Sequence, residues 1–203
     1  MDIDLIMNYI YNNKEKIIHR SKIESIITNM SDCSSLNKVL LYLRRSNKIK
    51  YIFKGYYYVL NADELANKYY EYSINEMVFV ILNKLNMKWY IGLQSSLEYN
   101  KLIWQAHNVL IILNNQFSKE ITIDRNKIKF RKIKEKYILG FKTRKTKNRI
   151  TVHYSDIEKT IIDFAYFRVK RPSELFRQYD EIKVRKYLME YPKLIKKRVI
   201  YNE

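Results

Sequence analysis

Ser35-Leu36-Asn37-Lys38-Val39-Leu40-Leu41-Tyr42-Leu43-Arg44-Arg45-Ser46-Asn47-Lys48-Ile49-Lys50-Tyr51-Ile52-Phe53-Lys54-Gly55, residues 35–55, is the stretch on which the fold turns. Its first half keeps the 3.6-residue period of a helix, with Leu36, Val39, Leu40 and Leu43 on one face. Its second half changes period. Ile49, Tyr51 and Phe53 alternate with Lys48, Lys50 and Lys54, the pattern of a half-buried strand. Lys54-Gly55 is a turn signal, and residues 56–60 return as a second β-prone run. Two further helices precede this stretch. Ile3, Ile6, Met7 and Ile10 set one apolar face on a helix over residues 3–12. Another opens at Ser21-Lys22-Ile23-Glu24, where Ser21 and Glu24 have the spacing of a reciprocal capping box, and buries Ile23, Ile26 and Ile27. Polar residues 29–34 turn the chain into the third helix. Three helices followed by a hairpin with a basic turn predict a winged helix-turn-helix over residues 1–61.

The outward face of the third helix carries the functional expectation. With Leu36, Val39, Leu40 and Leu43 inward, 100° per residue leaves Lys38, Leu41, Tyr42 and Arg45 outward, with Asn37 and Arg44 on the flanks and Ser35 at the start. Arg and Lys neutralise phosphates or donate to guanine edges, Asn pairs bidentately with adenine, and an exposed Leu41 can touch a thymine methyl. On the hairpin, Lys48, Lys50 and Lys54 are placed to approach phosphates or the minor groove. The alternative for Arg44, Arg45 and Lys48 is a solvated helix end, where cations offset the helix dipole. Winged helices also serve as protein-interaction domains, and a fold alone does not fix its use.

Composition points the same way. The 203-residue chain carries 39 Lys and Arg against 21 Asp and Glu, a formal net charge of +18. Such an excess favours a polyanionic partner. It is unevenly spread: residues 125–149 hold 12 basic side chains and one acidic. Ile128, Phe130 and Ile133 mark a strand whose apolar side faces a core, so Lys127, Lys129, Arg131 and Lys132 turn outward. Lys142, Arg144, Lys145, Lys147 and Arg149 extend that surface along what reads as a loop. This predicts a second electropositive surface for nucleic acid; the alternative is a solvated loop.

Residues 62–203 read as a mixed α/β domain, making the whole chain α+β. Asn61-Ala62-Asp63 caps a helical stretch, and Ser73 can cap a second helix beyond a break. Residues 109–113 are a buried strand, and residues 120–133 a hairpin turning at residues 124–127. Residues 137–141 and 150–153 are further strands. Ser155-Asp156-Ile157-Glu158 has the spacing of a second capping box, opening a helix with Ile157, Ile161, Phe164 and Ala165 on one face. The last 30 or so residues read as helical, with a basic tail at 193–198 prone to fraying. No apolar run reaches the 18 or so residues of a membrane span. The N-terminus lacks a secretory pattern, and the single cysteine, Cys33, forms no internal disulfide; the expectation is a cytoplasmic protein.

Three blocks together resemble the AbiEi-type antitoxin and transcriptional-regulator family. They are Leu43-Arg44-Arg45 with residues 48–52 and Gly55-Tyr56-Tyr57; Trp89-Tyr90-Ile91-Gly92-Leu93-Gln94-Ser95-Ser96-Leu97 with Tyr99-Asn100-Lys101-Leu102-Ile103 and Gln105; and Glu158-Lys159-Thr160-Ile161-Ile162-Asp163. Their order and spacing cover roughly the first 170 residues. Ser96 stands where the family commonly has Ala, and Asn100 where it commonly has His. The resemblance implies a winged helix that binds promoter DNA and represses its own operon. It also implies a C-terminal domain that counteracts a nucleotidyltransferase toxin without a stable complex, as in a type IV toxin-antitoxin pair. The expected partners are double-stranded operator DNA, that toxin, and a second copy of the chain on the DNA, with no cofactor and no membrane. The alternative within the family is a stand-alone regulator without a toxin.

An enzymatic reading finds less to build on. Restriction-type nucleases hold a metal with an Asp on one strand and a Glu-x-Lys on the next. Glu181-Ile182-Lys183 has that spacing with Asp163 upstream, but both lie in stretches that read as helices. His19, His107 and His153 lack metal-ligand spacing with one another or with Cys33. Gly55, Gly92 and Gly140 are isolated, so no phosphate-cradling loop is present. The expectation is a non-enzyme with no metal.

Overall fold

The computed structural model describes residues 3–12, 15–29, 35–104, 108–176 and 179–201, without the side chains of Ile3, Glu174, Phe176 and Tyr201. Cys33, Gln105, His107 and most of the 29–34 turn therefore lie outside the described residues. The protein is mixed α+β with two sheets. It divides into two units, Met1–Ile81 and Leu82–Glu203.

The first unit runs α1 (Ile3–Asn12), β1 (Ile17–His19), α2 (Arg20–Asn29), α3 (Leu36–Arg45), β2 (Ile49–Tyr51), β3 (Tyr56–Val59) and α4 (Ala62–Asn67). The boundary falls within α5 (Ile74–Lys84). Most of the three helical stripes expected from the sequence is buried: Ile6, Met7 and Ile10; Ile23, Ile26 and Ile27; Val39, Leu40 and Leu43, with Leu36 partly buried against them. They close on Ile18, Ile49, Tyr57 and Val59 of the sheet. Each such aliphatic side chain contributes roughly 1.5–3 kcal/mol by leaving water. The sheet order is β1-β3-β2, with both pairings antiparallel.

Strand β1 was not anticipated, and it corrects the reading of α2. Because β1 runs to His19, the helix begins at Arg20 and Ser21 sits inside its first turn. No Ser21–Glu24 box opens the helix; the His19 Nδ1 accepts from the Ser21 amide at 3.3 Å and meets its hydroxyl at 2.8 Å. At the other end, α3 stops in a Schellman arrangement. Asn47 takes φ 54°, and the Lys48 amide reaches back to the Leu43 carbonyl at 2.9 Å. The turn between β2 and β3 has Lys54 and Gly55 at φ 51° and 77°, closed by the Tyr56 amide on the Phe53 carbonyl at 3.0 Å.

The two faces of this small sheet differ. Register places Ile18, Tyr57 and Tyr51 on the helix side, and Ile17, Tyr58 and Lys50 on the other. The second face is closed by α4 and the segment after it. Asn61 caps α4 in a capping box with Glu64. The Glu64 carboxylate has no solvent exposure and accepts from Lys16 Nζ at 2.6 Å, the Glu71 amide at 2.8 Å, the Asn61 amide at 2.9 Å and the Tyr58 hydroxyl. Ser73 caps α5: its hydroxyl accepts from the Glu76 amide, while the Glu76 carboxylate accepts from the Ser73 amide.

The second unit is a six-stranded sheet with helices. Its elements are β4 (Trp89–Ile91), α6 (Gln94–Tyr99), β5 (Val109–Asn114), β6 (Lys119–Ile123), β7 (Asn126–Lys132), β8 (Phe141–Lys145), β9 (Thr151–Ser155), α7 (Ile157–Tyr166), α8 (Glu181–Leu188) and α9 (Lys193–Tyr201). The sheet order is β6-β7-β5-β4-β9-β8. The β5–β7 and β4–β9 pairs are parallel and the rest antiparallel. Helix α7 is the centre of the core. Every residue from Glu158 to Phe164 is buried, where the sequence had indicated one apolar face.

Three further expectations change here. Asp156, not Ser155, caps α7, accepting from the Lys159 amide at 2.8 Å; Ser155 is the last residue of β9 and is buried. Residues 142–145, read as loop, belong to strand β8. Residues 137–141, read as strand, hold the end of a 3-10 turn and then Gly140. Gly140 takes φ 63°, and its carbonyl accepts from the Asp156 amide at 2.9 Å, so regular pairing starts only after it. The C-terminal stretch is largely helical, in line with the sequence: residues 193–198 belong to α9, where Ile195 is buried.

Candidate nucleic-acid interface

The amphipathic register of α3 fixes what it presents. Ser35, Asn37, Lys38, Leu41, Tyr42, Arg44 and Arg45 are exposed, opposite the buried Val39, Leu40 and Leu43. Leu41 is 48 % exposed and Tyr42 47 %, a large apolar area for a helix whose other face is already packed. Ser35 stands at the N-cap without a side-chain capping bond. Among the described residues no carboxylate pairs with Lys38, Arg44 or Arg45.

The hairpin lysines are less alike than their spacing indicated. Lys54 is exposed at the turn. Lys48 is half-buried and its amine lies 3.1 Å from Asp4. Lys50 is turned to the sheet face away from α3, where its amine meets the Tyr70 hydroxyl at 3.1 Å and lies over that ring. Tyr51, expected inward, is 44 % exposed. It stands at the margin of the helix-side face, edge-on to Tyr57 at 5.3 Å between centroids. Sequence reasoning also missed Arg20. With β1 unseen, nothing placed it beside the hairpin, yet its amide donates to the Gly55 carbonyl at 2.8 Å.

The second basic set is split by topology. Lys127, Lys129 and Arg131 alternate outward from buried Ile128 and Phe130 on β7, with Lys132 exposed at its end. Lys142, Arg144 and Lys145 lie on β8, and exposed Lys147 and Arg149 follow in the turn to β9. Strands β5, β4 and β9 separate β7 from β8. At about 4.8 Å per strand, the two sets stand roughly 19 Å apart across the sheet. They are two basic strips, not one surface continued through a loop. On β7, Lys129 lies 3.9 Å from Glu120 and Arg131 covers the Phe167 ring. On β8 the Arg144 guanidinium lies 4.0 Å from the Tyr99 ring centroid.

Two of the quoted sequence blocks meet in the core. Tyr90 from β4 and Lys159 and Asp163 from α7 form a buried cluster. Lys159 Nζ lies 2.8 Å from the Tyr90 hydroxyl and pairs with Asp163, whose oxygens both lie 3.1 Å from that hydroxyl. Burial pushes the lysine down, the aspartate up and the tyrosine well up from their ordinary values. Ser96 joins Thr160 at 2.9 Å, and Asn100 donates to the Ser155 carbonyl at 2.8 Å. The blocks therefore bear on the build of this unit, and Lys159 and Asp163 have no surface at which to meet a ligand.

The residues weighed for a nuclease fall in helices. Asp163 is committed to the buried cluster. Glu181 is exposed on α8, and Lys183 bridges Asp156 at 2.8 Å and Glu158 at 2.9 Å. Among the described residues no group of three or more His, Cys, Asp or Glu could hold a metal ion. No helix of the described residues is long and apolar enough to cross a membrane.

No family profile and no curated protein matches the chain. Among solved structures, the Rv2827c protein from Mycobacterium tuberculosis is similar. The match covers 98% of this chain and 74% of that one, with a TM-score of 0.59 at 10% identity. At that identity the likeness is one of fold alone.

Proposed function

We propose that this chain is a DNA-binding transcriptional regulator whose first unit is a winged helix-turn-helix. The observation that carries the reading is the exposed face of α3: cations, an amide and two large apolar side chains on a helix otherwise held by the core. Alternation of helix, strand and hairpin in this unit supports it, as does the net charge of +18. The basic strips on β7 and β8 are secondary contacts for flanking nucleic acid. In its finer form the reading is an autorepressing antitoxin of the AbiE type, opposing a nucleotidyltransferase; it rests on the sequence resemblance. The alternative is a stand-alone regulator.

A mobility-shift assay with the duplex upstream of the protein's own gene tests the reading. The expected result is a retarded complex that forms at lower protein concentration than with a scrambled duplex. Equal retardation of both, or of neither, overturns sequence-specific regulation. Co-expression with a nucleotidyltransferase encoded alongside tests the antitoxin form, with rescue of growth expected.

A further inference from the structure

The hairpin offers a polyanion two different faces. Strand parity sends Lys50 to the face occupied by Tyr58, Tyr70 and the Glu64 cluster, where its amine is already engaged. The same parity sends Tyr51 to the α3 side, opposite Tyr57 in register. Two arginines are anchored by backbone bonds at that margin. Arg20 begins α2, with its amide on the Gly55 carbonyl and its Cδ 3.5 Å from where a Cβ on Gly55 would stand. Arg44 occupies the last turn of α3, and its carbonyl accepts from the Asn47 amide at 3.1 Å.

We propose that Arg20 and Arg44, with Tyr51 beside them, grip a backbone phosphate of duplex DNA where the hairpin meets α3, and that Lys50 takes no part. The inference rests on the reading of the first unit as a DNA-binding module and names the groups that hold the sugar-phosphate strand. Buried Tyr57 marks that margin, paired with Tyr51 in register and edge-on to its ring at 5.3 Å. Burial raises the Tyr57 hydroxyl's pKa, while the fields of Arg44 and Arg20 both pull against that rise and Tyr51 adds to it. Arg20 and Arg44 are both exposed cations, and like charges at one margin are relieved by an anion. Among the described residues no carboxylate pairs with either. A phosphate fits because each guanidinium presents a planar fork of donors to its oxygens. A phosphate contact of this kind positions the protein without reading sequence.

The test uses full-length protein and two fluorescein-labelled duplexes, the upstream fragment and a scrambled one, titrated by anisotropy over a range of KCl. Arg20→Gln and Arg44→Gln are each expected to weaken both duplexes alike, by about tenfold. Each should also flatten the slope of log affinity against log salt by about one. Tyr51→Ala should weaken both duplexes by a smaller, equal factor, and Lys50→Gln should behave as wild type. Arg20→Lys, which keeps the charge at the start of α2, should restore most of the salt slope and separates a lost contact from a damaged helix. Wild-type affinity and slope in both Gln variants, or a loss with Lys50→Gln as large as theirs, overturns the grip while DNA binding stands. If wild-type protein binds neither duplex, the underlying reading fails and the grip with it.

Discussion

Glu64 and Asp163 are both carboxylates without solvent exposure, yet their pKa values move in opposite directions. Burial pushes each up. Around Glu64 that push is outweighed by the Glu71 amide, the Lys16 ammonium, the Tyr58 hydroxyl and the Asn61 amide, so the group is held below its ordinary value. A lowered carboxylate stabilises the fold fully above its unfolded value, and the contribution is lost as pH falls through the folded one. We therefore expect the first unit to lose thermal stability on acidification below the ordinary glutamate value of 4.5. Glu64→Gln should be less stable at neutral pH and show a flatter profile; melting temperatures between pH 6 and pH 3 check this. Asp163 has fewer compensating donors, and burial prevails over Lys159 and Tyr90. Its ionised form is therefore disfavoured in the fold and is offset by the lysine opposite, itself pushed down by burial. Removing one partner strands the other's charge, so Asp163→Ala should cost about 3–5 kcal/mol in urea unfolding. The double variant Lys159→Met with Asp163→Leu should lose much less. Equal losses would show that shape and not charge holds the site.

At the scale of elements, α3 was legible because ten residues display one period and the alternative faces differ sharply in polarity. Its prediction follows: Lys38→Ala or Arg45→Ala should cost about 1–3 kcal/mol where the side chain reads a base, with relaxed preference at that position in a footprint. Unchanged footprints in both variants would remove α3 from the interface. The short elements were not legible. β1 has three residues, Ile17–His19, too few to show alternation, and missing it hid Arg20 and moved the start of α2. β8 escaped for another reason. All five of its residues are exposed, so it carries no inward apolar mark, and its strand character comes from pairing with β9. Its cations have a role independent of any ligand: β8 is one of the sheet's two edge strands, and charged side chains keep a free edge from pairing with other chains. Replacing Lys142, Arg144 and Lys145 together with valine should produce concentration-dependent aggregation in light scattering. A monodisperse variant would leave ligand binding as the better account of those charges.

For the whole molecule, charge and apolar pattern indicated an α+β chain with a basic surface, and the structure is α+β. The sheet order was beyond reach, because local sequence does not say which strands become neighbours. That is why the basic residues of 125–149 read as one surface and lie on two strips. It is also why Tyr90, Lys159 and Asp163 stood in separate blocks with no sign that they touch. Net charge predicts how association responds to salt. If the interface neutralises six to ten phosphates, raising KCl from about 50 to about 200 mM should lower affinity by about 10³–10⁵-fold. A slope near zero in a salt titration would mean that the +18 charge serves solubility and not recognition.

The position of β4 has a consequence for how the chain comes to be folded. β4 lies between β5, close in sequence, and β9, which pairs with it in parallel from about sixty residues on. While the chain is being synthesised, β4, β5, β7 and β6 can assemble before β9 has emerged, leaving β4 as a temporary, apolar, unpaired border of three buried residues. Closure waits for the segment that brings β9 and then α7, whose lysine must arrive together with its aspartate to be buried against Tyr90. Without β9 the second unit has an uncovered apolar strand at its border, and a chain truncated before residue 150 is expected to associate with other copies of itself.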